Sequence, residues 1–141
     1  MAKQIDLAEG GYAELDYATL ATFARINADG TLTILDAGFL RLVIMDPALP
    51  VDFAIAGRIR FRDGARRAEM KLVVSTPGGM RLELVSEVEP ALHTEYGDGR
   101  SHAMLAFNTQ MAPGAYGEAE ILIYLDGVQV RRLVFEFVPV G

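Results

Sequence analysis

Residues 116–138, YGEAEILIYLDGVQVRRLVFEFV, indicate the fold of this chain most directly. Apolar and polar side chains alternate on both sides of Asp126-Gly127, and such alternation places every second residue on one face of a β-strand. An Asp-Gly pair between two such runs favours a tight hairpin turn, because both residues tolerate a positive φ. We therefore predict a β-hairpin with strands at 116–125 and 128–138. The residues expected on its buried face are Ile121, Ile123, Leu125, Leu133, Phe135 and Phe137.

Turn signals of the same kind recur along the whole chain, at 27–30, 63–66, 77–79, 97–99 and 112–115. The runs between them are rich in Val, Ile, Leu, Phe and Thr, and most of these residue types favour strands. A single sheet of about seven to nine strands would leave too much apolar surface in water, whereas two packed sheets bury it. We therefore predict an all-β fold, an antiparallel two-sheet β-sandwich of immunoglobulin-like or jelly-roll-like type, with a barrel as the alternative closure.

Length and composition limit the classes of protein to which this chain can belong. Its 141 residues suit one domain, which we expect at 16–141 after a polar lead-in at 1–15. The absence of cysteine excludes disulfides, thiolate metal sites and a cysteine nucleophile. A net charge of −6 argues against nucleic-acid partners, and no apolar run is long enough for a membrane helix. Because the start has no apolar signal segment, we expect a cytoplasmic protein, or a virion protein if the source is a phage.

Basic side chains concentrate in the middle of the sequence, where residues 58–81 hold seven basic and two acidic groups. Alternation at 58–62 places three guanidiniums on the outward face of one strand, and two more follow in or after the next turn. A loop at 63–66 would set this strand beside 68–76, with Arg60 opposite Glu69 and Phe61 opposite Ala68. The candidate interaction patch consists of Arg58, Arg60, Arg62, Arg66 and Arg67.

Two interpretations of this arginine patch stay open. Guanidiniums bind carboxylates and phosphates through paired hydrogen bonds, so the patch could dock an acidic protein, a phosphate or an acidic polysaccharide. Alternatively, it is a solvated strand face whose charge is balanced by Glu69 and Glu83, since exposed ion pairs contribute only about 0.2–1 kcal/mol. We favour the second interpretation and treat the patch as the best interaction-site candidate in the chain.

The longest irregular stretch, 89–101, is a candidate ligand loop, because long loops in compact domains often carry binding residues. Its candidate residues are His93, Tyr96 and His102, with Tyr96 as a ring on which a ligand could stack. A zinc or calcium site could use the two histidines with nearby carboxylates, but their spacing matches no recurring ligand pattern. We therefore expect no metal and no cofactor.

Two resemblances accompany these patterns. The step from Pro113 to Tyr116, together with the closing strand at 133–138, resembles the final hairpin of immunoglobulin-like domains, in which such a tyrosine forms a tyrosine corner. The chain also looks like a family of small bacterial proteins known as a domain of unknown function. The segments that carry this second resemblance are 18–24, 29–35, 39–45, 47–50 and 53–61. The family implies a β-sandwich, and it supplies no catalytic residue and no accepted activity.

Three functions are compatible with the sequence. The one we favour is a non-enzymatic structural or protein-interaction module that acts through its surface, by self-association or within a larger assembly. This hypothesis rests on the apolar segment 39–45, which is an interface if it is exposed and a core strand if it is not. The second is a carbohydrate or small-ligand binding domain that uses the 89–101 loop. The third is a metal-dependent jelly-roll enzyme.

Overall fold

The computed structural model describes residues 13–61, 67–90 and 101–141. Within these ranges the protein is all-β, with ten strands and no helix, so no described helix could cross a membrane. The strands are β1 (Ala13–Ala21), β2 (Phe23–Ile26), β3 (Leu32–Leu35), β4 (Arg41–Ile44), β5 (Val51–Phe61), β6 (Ala68–Ser75), β7 (Arg81–Val88), β8 (Ser101–Met111), β9 (Gly117–Leu125) and β10 (Val128–Pro139). The all-β class is therefore confirmed, with more strands than the seven to nine expected. The division at residue 16 between lead-in and domain stays a prediction.

The strands form three sheets, so the expected pair of antiparallel sheets is confirmed only in part. One sheet has the order β1-β5-β8, a second has the order β4-β10-β9-β6-β7, and β2 pairs only with β3. Every pair is antiparallel except β4–β10, which is parallel. No hairpin turn sets the direction of β4, because five strands separate it from β10 along the chain. The separate β2–β3 sheet arises where the chain bends at Thr22, whose N–H donates to the carbonyl of Leu35 (2.9 Å).

Side chains from the two larger sheets meet in one apolar core. The Phe53 ring of β5 lies 5.4 Å from the Phe135 ring of β10, and Phe135 lies 5.0 Å from Phe137. The predicted β9–β10 hairpin is confirmed, and five of its six expected core residues are buried, with Leu133 half-buried at the margin. Its turn has positive φ at Asp126 and Gly127 (48° and 81°), the combination that joins twisted strands without splaying them.

The predicted pairing of residues 51–62 with 68–76 is wrong. Phe61 lies opposite Ala13 and Ser101, whereas Ala68 lies opposite Val88. Both edges of β5 are occupied, by β1 and β8, so β6 cannot pair with it. Between Phe61 and Ala68 the chain passes from one large sheet to the other. The turn signal at 63–66 lies outside the described residues, and such a signal favours a chain reversal without specifying the partner strand.

The β2–β3 hairpin covers half of the outer face of the three-stranded sheet. Ala21, Ala54 and Ala56 are fully buried beneath it, in a small cluster separate from the main core. Asn108 of β8 fixes the hairpin, because its amide accepts from Ala24 N–H (3.1 Å) and donates to the Ala24 carbonyl (2.8 Å). The other half of this face carries the charged side chains described next.

Candidate functional site

Arg58 and Arg60 stand on the outer face of β5, as the alternation predicts. Their neighbours Ile59 and Phe61 point into the core and are almost completely buried. The two arginine side chains are about one-third exposed, at 34% and 35%. The predicted division of β5 into an apolar inner face and a basic outer face is therefore confirmed for these positions.

The partners of these arginines lie on β1, not on β6 or β7. Asp16 Oδ2 accepts from Arg58 Nε (2.7 Å) and pairs with Arg58 Nη2, while Asp16 Oδ1 lies 3.4 Å from Arg60 Nη2. Glu14 Oε1 lies 3.2 Å from the same Arg60 nitrogen. The expectation that Glu69 and Glu83 balance the patch is wrong, because both belong to the other large sheet.

A bulge in β1 places Asp16 between the two arginines. Glu14 lies opposite Arg60 and Tyr17 opposite Arg58, and the register shifts between Leu15 and Tyr17. An extra residue in one strand re-aims the side chain at that point, here towards both guanidiniums. The Tyr17 ring adds a cation–π contact, with its centroid 5.4 Å from the Arg58 guanidinium carbon. No local sequence signal marks this bulge.

Hydrogen bonding, burial and neighbouring charges shift the pKa values of two groups on this face. The hydrogen bond from Arg58 holds the pKa of Asp16 below its ordinary value of 3.8, with further lowering from the charges of both arginines. His102, opposite Arg60 on β8, has its pKa lowered from 6.5 by burial first and by the Arg58 charge second, with Asp16 opposing. Around neutral pH the face therefore contains an ionised Asp16 and a neutral His102.

Among the described residues, the charged side chains of this face balance one another. Two carboxylates, Glu14 and Asp16, meet two guanidiniums, and these groups bond to one another across the β1–β5 pair. One polar atom, Arg60 Nε, is buried and has no hydrogen-bond partner among the described residues. A neutralised face lacks the uncompensated positive field that attracts polyanions. Its geometry supports a structural latch between β1 and β5.

The other residues singled out from the sequence do not join this cluster in the described structure. Arg67 lies before β6, where its Nη1 is 3.6 Å from Glu87 Oε1 of β7. Arg62, Arg66, His93 and Tyr96 lie outside the described residues. Of the three candidate residues of the expected ligand loop, therefore, only His102 has a described position. The described residues contain no group of three or more His, Asp or Glu side chains placed to hold a metal ion.

A second candidate surface lies at the edge of the five-stranded sheet, and the sequence pointed only to part of it. On β4, Leu42 and Ile44 face the core, whereas Val43 and the following Met45 face outward and are 64% and 85% exposed. The segment 39–45 therefore combines the two alternatives. One of its faces packs into the core, and the other is an exposed apolar surface.

Neighbouring strands extend this apolar surface. Val138 of β10 lies beside Val43, and Val140, just after β10, is 62% exposed. Tyr116 precedes β9, and its hydroxyl donates to the carbonyl of Met45 (3.1 Å). We call this surface the β4 corner. It consists of Val43, Met45, Tyr116, Val138 and Val140.

Loop contacts hold the β4 corner in place. Gly114 N–H donates to the Pro47 carbonyl (2.8 Å), and Gly78 N–H donates to the Pro113 carbonyl (2.9 Å), so three chain reversals meet here. A Cβ atom on Gly78 would overlap the backbone of Gly114, which explains the glycine at that position. Tyr116 bonds a carbonyl of a distant segment, unlike a tyrosine corner, whose hydroxyl bonds backbone a few residues upstream.

A shallow cleft of about 470 Å³ lies at the margin of the β2–β3 hairpin, where the start of β2 meets β5 and β8. Its polar side chains already bond within the protein. Gln110 donates to Asp52 (3.0 Å), Asn108 holds Ala24, and Thr22 donates to Asp36 (3.0 Å). Phe23 lines the cleft and is partly exposed. These bonds give the cleft a role in closing the hairpin against the sheet.

No protein-family model matches the sequence, and no curated protein matches it. Among solved structures, the chain is similar to the alkylpurine DNA glycosylase AlkC of Pseudomonas fluorescens, bound to DNA with an abasic site analogue. The TM-score is 0.47 at 6% identity, over 89% of this chain and 30% of that one. The chain is also similar to an immunoglobulin-like protein of Pseudomonas aeruginosa. That TM-score is 0.45 at 12% identity, over 92% of this chain and 99% of that one.

Proposed function

We propose that this chain is a non-enzymatic protein-interaction module with an immunoglobulin-like, two-layer β-sandwich architecture, and that it docks a protein partner through the β4 corner. The observation that carries the proposal is the outward pair Val43 and Met45 beside Val138 of β10 and the exposed Val140 that follows this strand. An apolar patch of this kind on the surface marks an interaction site more often than an isolated exposed residue does.

The surroundings of the β4 corner favour a protein partner. Arg41 and Glu136 form an exposed pair beside it (3.9 Å), and Glu118 lies 4.0 Å from Arg132 further along the sheet. An apolar centre with a charged rim is the usual arrangement of a protein–protein interface. The loop contacts that hold Met45 and Tyr116 reduce the ordering cost of binding.

Nucleic acid is the less suitable partner. The net charge is −6, and Arg58 and Arg60, the described arginines of β5, are matched by Glu14 and Asp16 on β1. Affinity for nucleic acid depends on cations that are free to neutralise phosphates. The packing of two large sheets around one core supports the β-sandwich part of the proposal.

Site-specific photocrosslinking in the native host tests this function. A photoreactive amino acid at position 43 should capture one partner of defined mass, whereas the same amino acid at Val128, the first residue of β10, should not. The purified partner should then bind the wild-type chain at least about tenfold more tightly than the M45D variant, because an interface core does not tolerate an unpaired charge. A partner that crosslinks equally at both positions, or that binds M45D as well as the wild type, would contradict the proposal.

A further inference from the structure

Within the described residues, the strand β7 forms the other edge of the five-stranded sheet, opposite β4, and it has neither the shortness nor the bulge that protects many edges. It is eight residues long, and its register with β6 runs without a bulge from Ala68–Val88 to Ser75–Arg81. It contains no proline, and its inward positions carry no charge. By contrast, β4 has only four residues and leads into a segment with two prolines. Natural proteins shorten, bulge or charge their edges to prevent pairing. The strand β4 is short, whereas β7 has only the charges of Arg81, Glu83 and Glu87.

The hydrogen-bonding groups on the open edge can be assigned from the turn before β7. Thr76 N–H donates to the Met80 carbonyl (2.9 Å), so Thr76 and Met80 form a hydrogen-bonded pair. Hydrogen-bonded pairs alternate with non-hydrogen-bonded pairs in an antiparallel ladder. Leu82, Leu84 and Ser86 therefore bond to β6. The residues whose backbone N–H and C=O point to the open edge are Arg81, Glu83, Val85 and Glu87.

These same four residues carry side chains that complement a second copy of the strand. If two β7 strands pair antiparallel about a two-fold axis at Leu84, Arg81 lies opposite Glu87 of the other copy, and Glu83 lies opposite Val85. Each of these pairs joins residues whose backbone groups are free, and the ladder gains about eight hydrogen bonds. An axis at Glu83 would place the Glu83 side chains of the two copies opposite each other, and an axis at Val85 would place Glu83 opposite Glu87 of the other copy. Like-charge repulsion disfavours both arrangements.

Apolar surface on β7 supports the same pairing. Val85 on the outer face is 56% exposed, and Leu82, although it faces the core side, is still 36% exposed at the margin of the sheet. In the antiparallel arrangement Leu84 meets Leu84 of the other copy on the core side, and Leu82 lies close by on the diagonal. Burial of these side chains adds a hydrophobic contribution to the backbone ladder.

We propose that the chain forms a two-fold symmetric dimer through β7, which joins the two five-stranded sheets into one continuous sheet with Arg81 paired to Glu87 across the axis. The partner is a second copy of this chain, and the surface is distinct from the β4 corner. The existing contacts of the two side chains, Arg81 with Glu83 and Arg67 with Glu87, are exposed and weak and do not compete strongly.

Charge reversal on the full chain, followed by sedimentation equilibrium over a concentration series, tests the dimer. R81E and E87R should each weaken dimerisation at least about tenfold, since each places like charges opposite one another twice per dimer. The double variant R81E/E87R should restore it. A mixture of the two single variants should form a heterodimer, because its cross-axis pairs are again of opposite charge.

Matched variants separate this dimer from other associations. V85P should abolish dimerisation while the monomer stays folded, because the Val85 N–H faces the open edge and bonds to no strand of its own copy. R132E, a charge reversal of an exposed arginine on β10, should leave the dimer intact, and so should M45D at the β4 corner. A wild-type monomer at every concentration would overturn the inference. So would a dimer insensitive to E87R, or one lost in M45D and kept in V85P.

Discussion

The outer face of the three-stranded sheet has two halves that differ in side-chain size and, consequently, in what covers them. On β5, Ala54 and Ala56 are fully buried beneath the β2–β3 hairpin, whereas Arg58 and Arg60, next in the same alternation, stay partly exposed and bond to β1. The period of the strand is the same in both halves. Side-chain volume therefore decides where a third layer can pack, and long charged side chains decide where it ends.

The largest effect is expected at Gly57, which lies on β5 at the border between the two halves. A Cβ atom there would overlap the carbonyl oxygen of Tyr17, next to the β1 bulge. Because that oxygen belongs to the β1–β5 ladder, it cannot move cheaply, and G57A should lower the free energy of unfolding by about 3 kcal/mol. Urea denaturation measures the change. G30A, where space is open and φ is +86°, should cost only about 1 kcal/mol. Equal costs would contradict this reason.

Enlarging an alanine beneath the hairpin should separate the third layer from the sheet. A56L places a large side chain where Ala56 is fully buried against the hairpin, at a cost of about 2 kcal/mol. The Asn27 N–H donates to the Thr31 carbonyl within the hairpin, and its hydrogen exchange should accelerate more than that of the β9 amides. A28L, at an exposed position of the hairpin turn, should change neither quantity. Uniform acceleration in both regions would mean that the hairpin is no separate layer.

Removing the polar clamp on the hairpin should cost less than overfilling its interface. N108A leaves the buried N–H and C=O of Ala24 without their side-chain partner, which should lower the free energy of unfolding by about 1–2 kcal/mol. N108D should recover only part of this loss, since a carboxylate accepts from the N–H but cannot donate to the carbonyl. Chemical denaturation of both variants measures the difference. Full recovery in N108D would show that the donated bond contributes nothing.

The hairpins of this fold could be predicted from the sequence because each is specified locally. Asp126-Gly127 and 77–79 both join strands that pair with each other, and 27–30 joins β2 to β3. The partners of β5 could not be predicted, since they come from distant parts of the chain. The turn signal at 63–66 predicts a hairpin after β5, although the chain changes sheets there.

The same limit applies to the candidate sites. Alternation was enough to place Arg58 and Arg60 outward, but their carboxylate partners depend on the β1–β5 register and on the bulge at Asp16. Likewise, the apolar segment 39–45 indicated half of the β4 corner. The other half comes from β10, which reaches β4 by a parallel pairing that no turn encodes.

In the charged half of the face, a double-mutant cycle should detect a modest coupling. D16N, R58M and the double variant should give a coupling of up to about 1 kcal/mol at neutral pH, since both side chains are partly exposed and screened. Because the pKa of Asp16 is lowered in the folded state, this stabilisation is complete above pH 3.8 and is lost as the pH falls below it. A coupling that stays constant down to pH 2 would contradict the ion pair as its source.

The smallest effect is expected at His102, on the side of Arg60 away from β1. Its pKa is lowered in the folded state by burial and by the Arg58 charge, so the unfolded chain binds a proton more readily than the folded one. The free energy of unfolding should therefore decrease as the pH falls below 6.5. H102Q should remove this slope without changing stability at pH 8, whereas D16N should steepen it, because the Asp16 charge opposes the shift. An unchanged slope in H102Q would assign the pH dependence to other groups.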